Sequence, residues 1–328
     1  MNNKERFTIL LFLLLCMLPL RSQSLQTAFE FMRLPSSAHA SSLGGNVVSL
    51  SDTYSALFLS NPALITGYSS PTAGLNAMTW FASTKVAGAQ WCSPIDGRSG
   101  YAANARYVSY AEMMRTNPDG TTNGTFRAKD MAVGISYAYR LTDNLSGGVT
   151  GNFICSRYGS LTSIAVGVDM GLLYVFPEDG FSLGLAVTNL GGQIKAFENT
   201  FQKLPFNLSA GVTWKPEHAP LRFTLTLDRL TDWNEEDFYF ADDAEPGFGD
   251  ILRRHISLGL DFLLTDRFYL AAGCNLLRRE EMSDKGNRGL SGLSMGAGLN
   301  LDKMAFSLSY GKYQVSESSL LLNVSFRI

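Results

Sequence analysis

Leu320-Leu321-Leu322-Asn323-Val324-Ser325-Phe326-Arg327-Ile328 is the stretch whose reading decides the fold. Leu320, Leu322, Val324, Phe326 and Ile328 alternate with Leu321, Asn323, Ser325 and Arg327, and a period of two puts the two sets on opposite faces of one strand. One face is apolar throughout and the other is mostly polar. The same pattern recurs upstream. Val133, Ile135, Tyr137 and Tyr139 alternate with Gly134, Ser136, Ala138 and Arg140. Phe181, Leu183, Leu185 and Val187 alternate with Ser182, Gly184, Ala186 and Thr188. Leu221, Phe223, Leu225 and Leu227 alternate with Arg222, Thr224, Thr226 and Asp228, and the runs from His255 and Met304 repeat the arrangement. Each segment reads as a strand of about ten residues, the length a tilted strand needs to cross a bilayer.

A soluble sandwich alternates too, so periodicity leaves water and lipid undecided and the connections decide. Tight turns are expected at 94–98, 142–144, 177–180, 215–220, 265–266 and 302–303. The longest connections fall between them, at 111–127, 191–204, 231–251 and 280–287. Short turns on one rim and long loops on the other are the asymmetry of an outer-membrane barrel. About 14 strands fit the chain, and an even count returns both termini to the rim of the short turns. The expected fold is all-β: an outer-membrane antiparallel β-barrel with an N-terminal plug segment. On this reading residues 320–328 also serve as the insertion signal of the closing strand.

The N-terminus sets the compartment. Lys4 and Arg6 precede an apolar stretch from Phe7 to Leu20, and Ser22 and Ser24 offer small residues for cleavage. Residues 1–24 are therefore expected to be a signal peptide, 25–69 a hatch or plug segment, and 70–328 the barrel. Lys+Arg of 27 against Asp+Glu of 29 gives no basic excess for a nucleic-acid partner. Cys92, Cys155 and Cys274 fall on separate strands and read as small wall residues without disulfides.

Residues 25–69 differ from the rest. They carry Gly, Ser and Pro punctuation and a short helix-like piece capped by Ser51 or Asp52, with little alternation. Leu43-Gly44-Gly45, Asp52 and Asn61-Pro62-Ala63-Leu64 resemble the N-terminal hatch of the FadL-like outer-membrane family, whose members have a 14-strand barrel and an Asn-Pro-Ala signature. Other elements resemble the PorV-related branch that serves type IX secretion in Bacteroidetes. They are Leu34-Pro35-Ser36-Ser37-Ala38, Leu204-Pro205-Phe206, His218-Ala219-Pro220-Leu221-Arg222-Phe223 continuing to Asp232-Trp233, and Arg278-Arg279-Glu280-Glu281-Met282. The resemblance implies a non-enzymatic scaffold of the surface attachment complex, which processes and anchors secreted sorting-domain proteins. Its implied partners are the surface protein PorZ, the sortase PorU and the barrel PorV, beside outer-membrane lipid. The turn asymmetry and even strand count place the termini in the periplasm and the long loops outside the cell, and no cofactor is expected.

The residues themselves offer little catalytic chemistry. Gly292-Leu293-Ser294-Met295-Gly296 fits a nucleophile-elbow pattern, but it lies in a Gly/Ser-rich strand with no helix to follow. His39, His218 and His255 lack the spacing of a metal site or a triad. Inward positions on the expected strands include Arg106, Arg140, Asp169, Arg222, Asp228 and Asp261, charges suited to bracing a plug. Asn61, Pro62 and Ala63 form the plug motif. A FadL-type transporter of hydrophobic molecules is the alternative, and it needs an apolar lumen. The connection 231–251 holds Asp232, Glu235, Glu236, Asp237, Asp242, Asp243, Glu245 and Asp250 without a lysine or arginine. Trp233, Phe238, Tyr239, Phe240 and Phe248 are interleaved there, which makes the loop the candidate partner surface.

Overall fold

The computed structural model describes residues 27–51, 56–116, 119–198, 200–234, 238, 247–281, 290–313 and 318–328. Its strands are β1 (Thr72–Thr79), β2 (Lys85–Pro94), β3 (Ser99–Ser109), β4 (Met113–Thr116), β5 (Thr122–Phe126), β6 (Ala128–Arg140), β7 (Leu145–Tyr158) and β8 (Leu161–Phe176). They continue as β9 (Phe181–Lys195), β10 (Asn207–Trp214), β11 (Leu221–Leu227), β12 (Ile256–Leu263), β13 (Phe268–Asn275), β14 (Leu293–Asn300), β15 (Met304–Lys312) and β16 (Ser318–Arg327). β4 and β5 form a separate hairpin, and the other 14 close into one antiparallel barrel. Closure pairs β1 with β16, Ala73 opposite Phe326 and Leu75 opposite Val324, so the sheet has no open edge.

The wall divides by parity. On β16, Leu320, Leu322 and Phe326 are exposed outward while Leu321, Asn323 and Ser325 are buried inward. On β11, Phe223 and Leu225 face out and Thr224 and Thr226 face in. Arg222 points inward to Asp261, so Arg222 and Phe223 fall on opposite faces. The outward face is apolar, as contact with lipid demands. Near the short turns it carries paired rings: Tyr174 with Phe176 at 4.6 Å, Phe176 with Phe181 at 5.8 Å and Trp214 with Phe223 at 5.8 Å. Cys92, Cys155 and Cys274 lie on β2, β7 and β13 as free thiols.

Short connections occupy one rim at 95–98, 141–144, 177–180, 215–220, 264–267 and 301–303, together with Thr72 and Ile328. The longest connections share the opposite rim, but so do the short links at 80–84 and 159–160. Strand length departs from a uniform ten: β11 has 7 residues and β8 has 16. Residues 191–195, expected in a loop, are strand. They continue to pair with β8, Lys195 opposite Ile164, past a register shift next to Asn189, whose φ is 60°. The acidic connection ends in a helix, α2 (Phe248–Arg254), and Arg278 and Arg279 sit on a second helix, α3 (Leu276–Glu281).

The segment before β1 lies inside the barrel. Its helix is α1 (Ala38–Ser42), capped by Ser37, whose side chain accepts from the Ala40 amide at 3.2 Å. Thus the capped helix stands earlier than the expected 52–59; residues 52–55 lie outside the described set, and a 3-10 turn at Leu57–Leu59 follows them. The segment starts at the long-loop rim, where Thr27 bridges Lys203, dips to the wall strands, and leaves at the short-turn rim into β1. Its first described residue and Ile328 therefore lie at opposite rims. The even strand count brings together only the two ends of the barrel, because the segment crosses the lumen. Residues 1–26, including the expected signal peptide, are outside the described residues.

Candidate functional site: the filled lumen and the long-loop rim

Inward glycines let the segment approach the wall. A Cβ at Gly171 would overlap the side-chain oxygen of Asn61, and one at Gly184 would overlap the backbone carbonyl of Val48. Asn61 is fully buried and makes three bonds. Its oxygen accepts from the Ala63 amide at 3.0 Å, capping the 3-10 turn that begins at Pro62. Its Nδ2 donates to Val48 O at 2.7 Å and to Leu172 O on β8 at 3.0 Å. Asparagine suits this post because one short amide serves both a local turn and a distant backbone. Around it Leu43, Val47, Leu50, Leu57, Phe58 and Leu64 pack with Ala102, Ala138 and Leu173 of the wall.

The inward charges tie segment to wall. Asp261 accepts from Arg222 Nε at 2.8 Å and lies 2.8 Å from His39 Nε2, with His39 and Asp261 side chains both fully buried. His39 stacks on Tyr269 at 4.1 Å. Arg140 donates to Thr66 O at 3.2 Å. Arg106 donates to Phe31 O at 3.0 Å and also to the Ser36 hydroxyl. Asp228 accepts from Asn46 at 3.0 Å and from Asn207 at 2.8 Å. Asp169 takes another course, accepting from Asn152 and the Asn189 amide, both at 2.7 Å, within the wall. Ser294, the elbow-like serine, lies on β14 and donates to Ser42 O at 3.0 Å.

Toward the long-loop rim the lumen retains a cavity of about 140 Å³, lined by Asn104, Arg106, Asn152, Asp169, Asn207 and Asp228 and also by Met32, Leu34 and Leu59. An apolar ligand would desolvate the polar groups without satisfying them. A second apolar cluster lies toward the long-loop rim, where Phe29, Phe31 and Leu204 pack with Met78, Val86, Val108, Ile154 and Leu321. No signal in the strands alone could have shown that the segment makes apolar contacts at both ends of the lumen.

The partner loop is partly folded onto itself. Phe238 is buried, with Arg229 over its ring at 4.9 Å and His255 edge-on at 5.4 Å. Trp233 stacks on Phe248 at 5.9 Å, meets His255 at 4.2 Å, and donates its indole N–H to Leu230 O at 2.6 Å. This pair stays accessible, Trp233 at 38% and Phe248 at 71% exposure. Phe238 is thus a packing residue. Tyr239, Asp242 and Asp243, also named as partner residues, lie outside the described residues, as do Asp52, Phe240 and Met282. Arg278 lies over Tyr313 at 4.3 Å, and Arg254 meets Glu281 at 3.5 Å and joins α2 to α3. Among the described residues no group of three or more His, Cys, Asp or Glu is placed to hold a metal.

No family model matches the sequence, and no curated protein matches it. Solved structures do. The toluene transporter TodX of Pseudomonas putida is similar over 90% of this chain and 99% of its own, at 12% identity and a TM-score of 0.60. The monoaromatic hydrocarbon channel CymD covers 92% of this chain and 99% of its own, at 14% identity and a TM-score of 0.57. A FadL homologue of Pseudomonas aeruginosa covers 90% and 98%, at 10% identity and a TM-score of 0.53. The likeness is one of fold: a FadL-like 14-strand barrel, in agreement with the closed sheet of this chain.

Proposed function

We propose that this protein is a non-enzymatic outer-membrane scaffold, comparable to PorQ of type IX secretion, that presents its long-loop rim to a surface partner. The observation carrying the proposal is the occupied lumen. The described residues between 27 and 67 pack against the inward wall in two apolar clusters, one near the short turns and one toward the long-loop rim, and the lumen keeps a cavity of about 140 Å³. A conduit for hydrophobic molecules needs a continuous apolar path, and in the described cavity Met32, Leu34 and Leu59 are interrupted by Asn104, Arg106, Asn152, Asp169, Asn207 and Asp228. The sequence elements from Leu34 to Met282 that resemble PorQ point the same way and bring PorZ, PorU and PorV as partners. On this reading the long-loop rim is extracellular and the short turns periplasmic.

A second reading rests on the fold itself. TodX and CymD are described as a toluene transporter and a monoaromatic hydrocarbon channel, and the fold likeness favours a hydrophobic-molecule transporter over a scaffold. Deleting the gene separates the two. The scaffold reading predicts loss of surface-anchored sorting-domain proteins with unchanged uptake of fatty acid and toluene. Loss of uptake with normal surface display would establish the transporter instead.

A further inference from the structure

A cleft of about 340 Å³ at the long-loop rim, between the start of the N-terminal segment and the β1–β2 connection, has a built character that neither reading uses. Three rings form one side: Trp80 lies 4.6 Å from Phe81 and 4.4 Å from Tyr313, and Phe81 lies 6.0 Å from Tyr313. The connection that carries Trp80 and Phe81 then turns through Ala82 and Ser83, at φ of 49° and 59°. Two successive non-glycine residues in the left-handed region cost conformational energy, and such cost gathers at functional sites.

Two guanidinium groups line the same space, each with one terminal nitrogen donating to a backbone carbonyl at 3.4 Å, Arg33 to Phe206 and Arg278 to Gly44. Arg278 lies 4.3 Å over the Tyr313 ring. Arg33 Nε is buried and lies 3.3 Å from the Glu30 carboxylate, an ion pair without hydrogen-bond geometry. Against these two cations the lining holds one carboxylate, Glu30. Arg33, Leu34, Pro35 and Arg278 line both this cleft and the polar lumen cavity, so the aromatic side and the amide side adjoin. Behind the arginines, Asn104 has a buried side-chain oxygen without a partner.

We propose that the cleft is a binding site for an acidic saccharide. The apolar C–H face of a pyranose ring lies flat on aromatic rings, the guanidinium groups take its carboxylate through paired charged hydrogen bonds, and the amides behind meet its hydroxyls. Phe31, Leu34, Pro35 and Tyr110 complete the cleft lining, so an acyl chain is the competing occupant; extended past the rings it would desolvate Asn104, Arg106 and Asp169 without satisfying them. The inference stands apart from the scaffold reading and survives its failure.

The test uses the full chain in detergent micelles, titrated with sodium glucuronate, glucose and sodium octanoate, and followed by saturation-transfer NMR. Glucuronate should bind at least tenfold more tightly than glucose, with transfer to its ring protons, and octanoate should not displace it. The double variant R33Q/R278Q should lose at least tenfold in glucuronate affinity, and W80L should reduce the ring-proton transfer. Heat-modifiable gel mobility reports whether each variant remains a folded barrel. Failure of glucuronate to bind wild type, equal binding by a folded R33Q/R278Q, or displacement by octanoate would each overturn the proposal.

Discussion

Replacing Asn61 with alanine removes the cap of one turn and two tethers to backbone carbonyls. At roughly 1 kcal/mol for each bond, the loss should be about 2–3 kcal/mol. Thermal unfolding followed by circular dichroism should show a lower midpoint, and small-solute leakage into vesicles should rise. Unchanged leakage would make Asn61 a linker residue only. Asp261→Asn should cost about 3 kcal/mol, because it leaves Arg222 and His39 facing a neutral partner in a buried site. Denaturant unfolding of the two proteins compares them directly, and equal midpoints would show that the cluster contributes nothing. These residues differ in how they could be read. Asn61 was legible because Asn before Pro carries its own turn chemistry. His39 read as an isolated histidine, since its partner stands 222 positions away and only barrel closure joins them.

The described residues at the two ends of the connection between β11 and β12 pack around His255, and the stability of that cluster should depend on pH. His255 is buried, its Nδ1 donates to Asp228 O at 2.8 Å, and its Nε2 has no partner. Burial pushes its pKa below the ordinary value of 6.5; Arg229 adds to this, while the Asp228 carbonyl and Asp232 oppose it. The unfolded imidazole therefore takes up its proton at a higher pH than the folded one. The stabilisation is complete above about pH 6.5 and is lost as pH falls through the lowered folded value. Trp233 fluorescence, isolated by difference against W233F, should change on acidification below about pH 6, and His255→Gln should remove that change. A flat wild-type signal down to pH 4.5 would refute the assignment. For the proposed partner surface, W233A/F248A should release the surface partner into the medium while leaving the barrel inserted, since neither ring belongs to a barrel strand. A partner that remains cell-bound would place the interface elsewhere. The aromatic–acidic composition of this loop was legible in sequence. Its collapse onto Phe238, His255 and Arg229 was not, because those contacts depend on where α2 folds back.

At the scale of the whole molecule, strand parity and turn spacing specified the closed sheet well. Leu320 to Ile328 and Leu221 to Leu227 fall on the faces their alternation demands, because a one-residue slip would carry charge into the apolar face. Strand lengths were less legible, since pairing beyond the apolar band, as in residues 191–195, leaves no alternation of hydrophobicity to read. The route of the N-terminal segment was the least legible. Its contacts run to β2, β3, β6 through β10 and β12 through β16, and no local pattern encodes which of them each residue meets. That route carries the central claim, that the chain fills its own lumen. The direct measurement is ion conductance of the full-length protein in a planar bilayer, with insertion confirmed independently by protease protection. The filled lumen predicts no steady current from the wild-type barrel and discrete openings from Asn61→Ala. A wild-type barrel that conducts steadily as an open pore would contradict it.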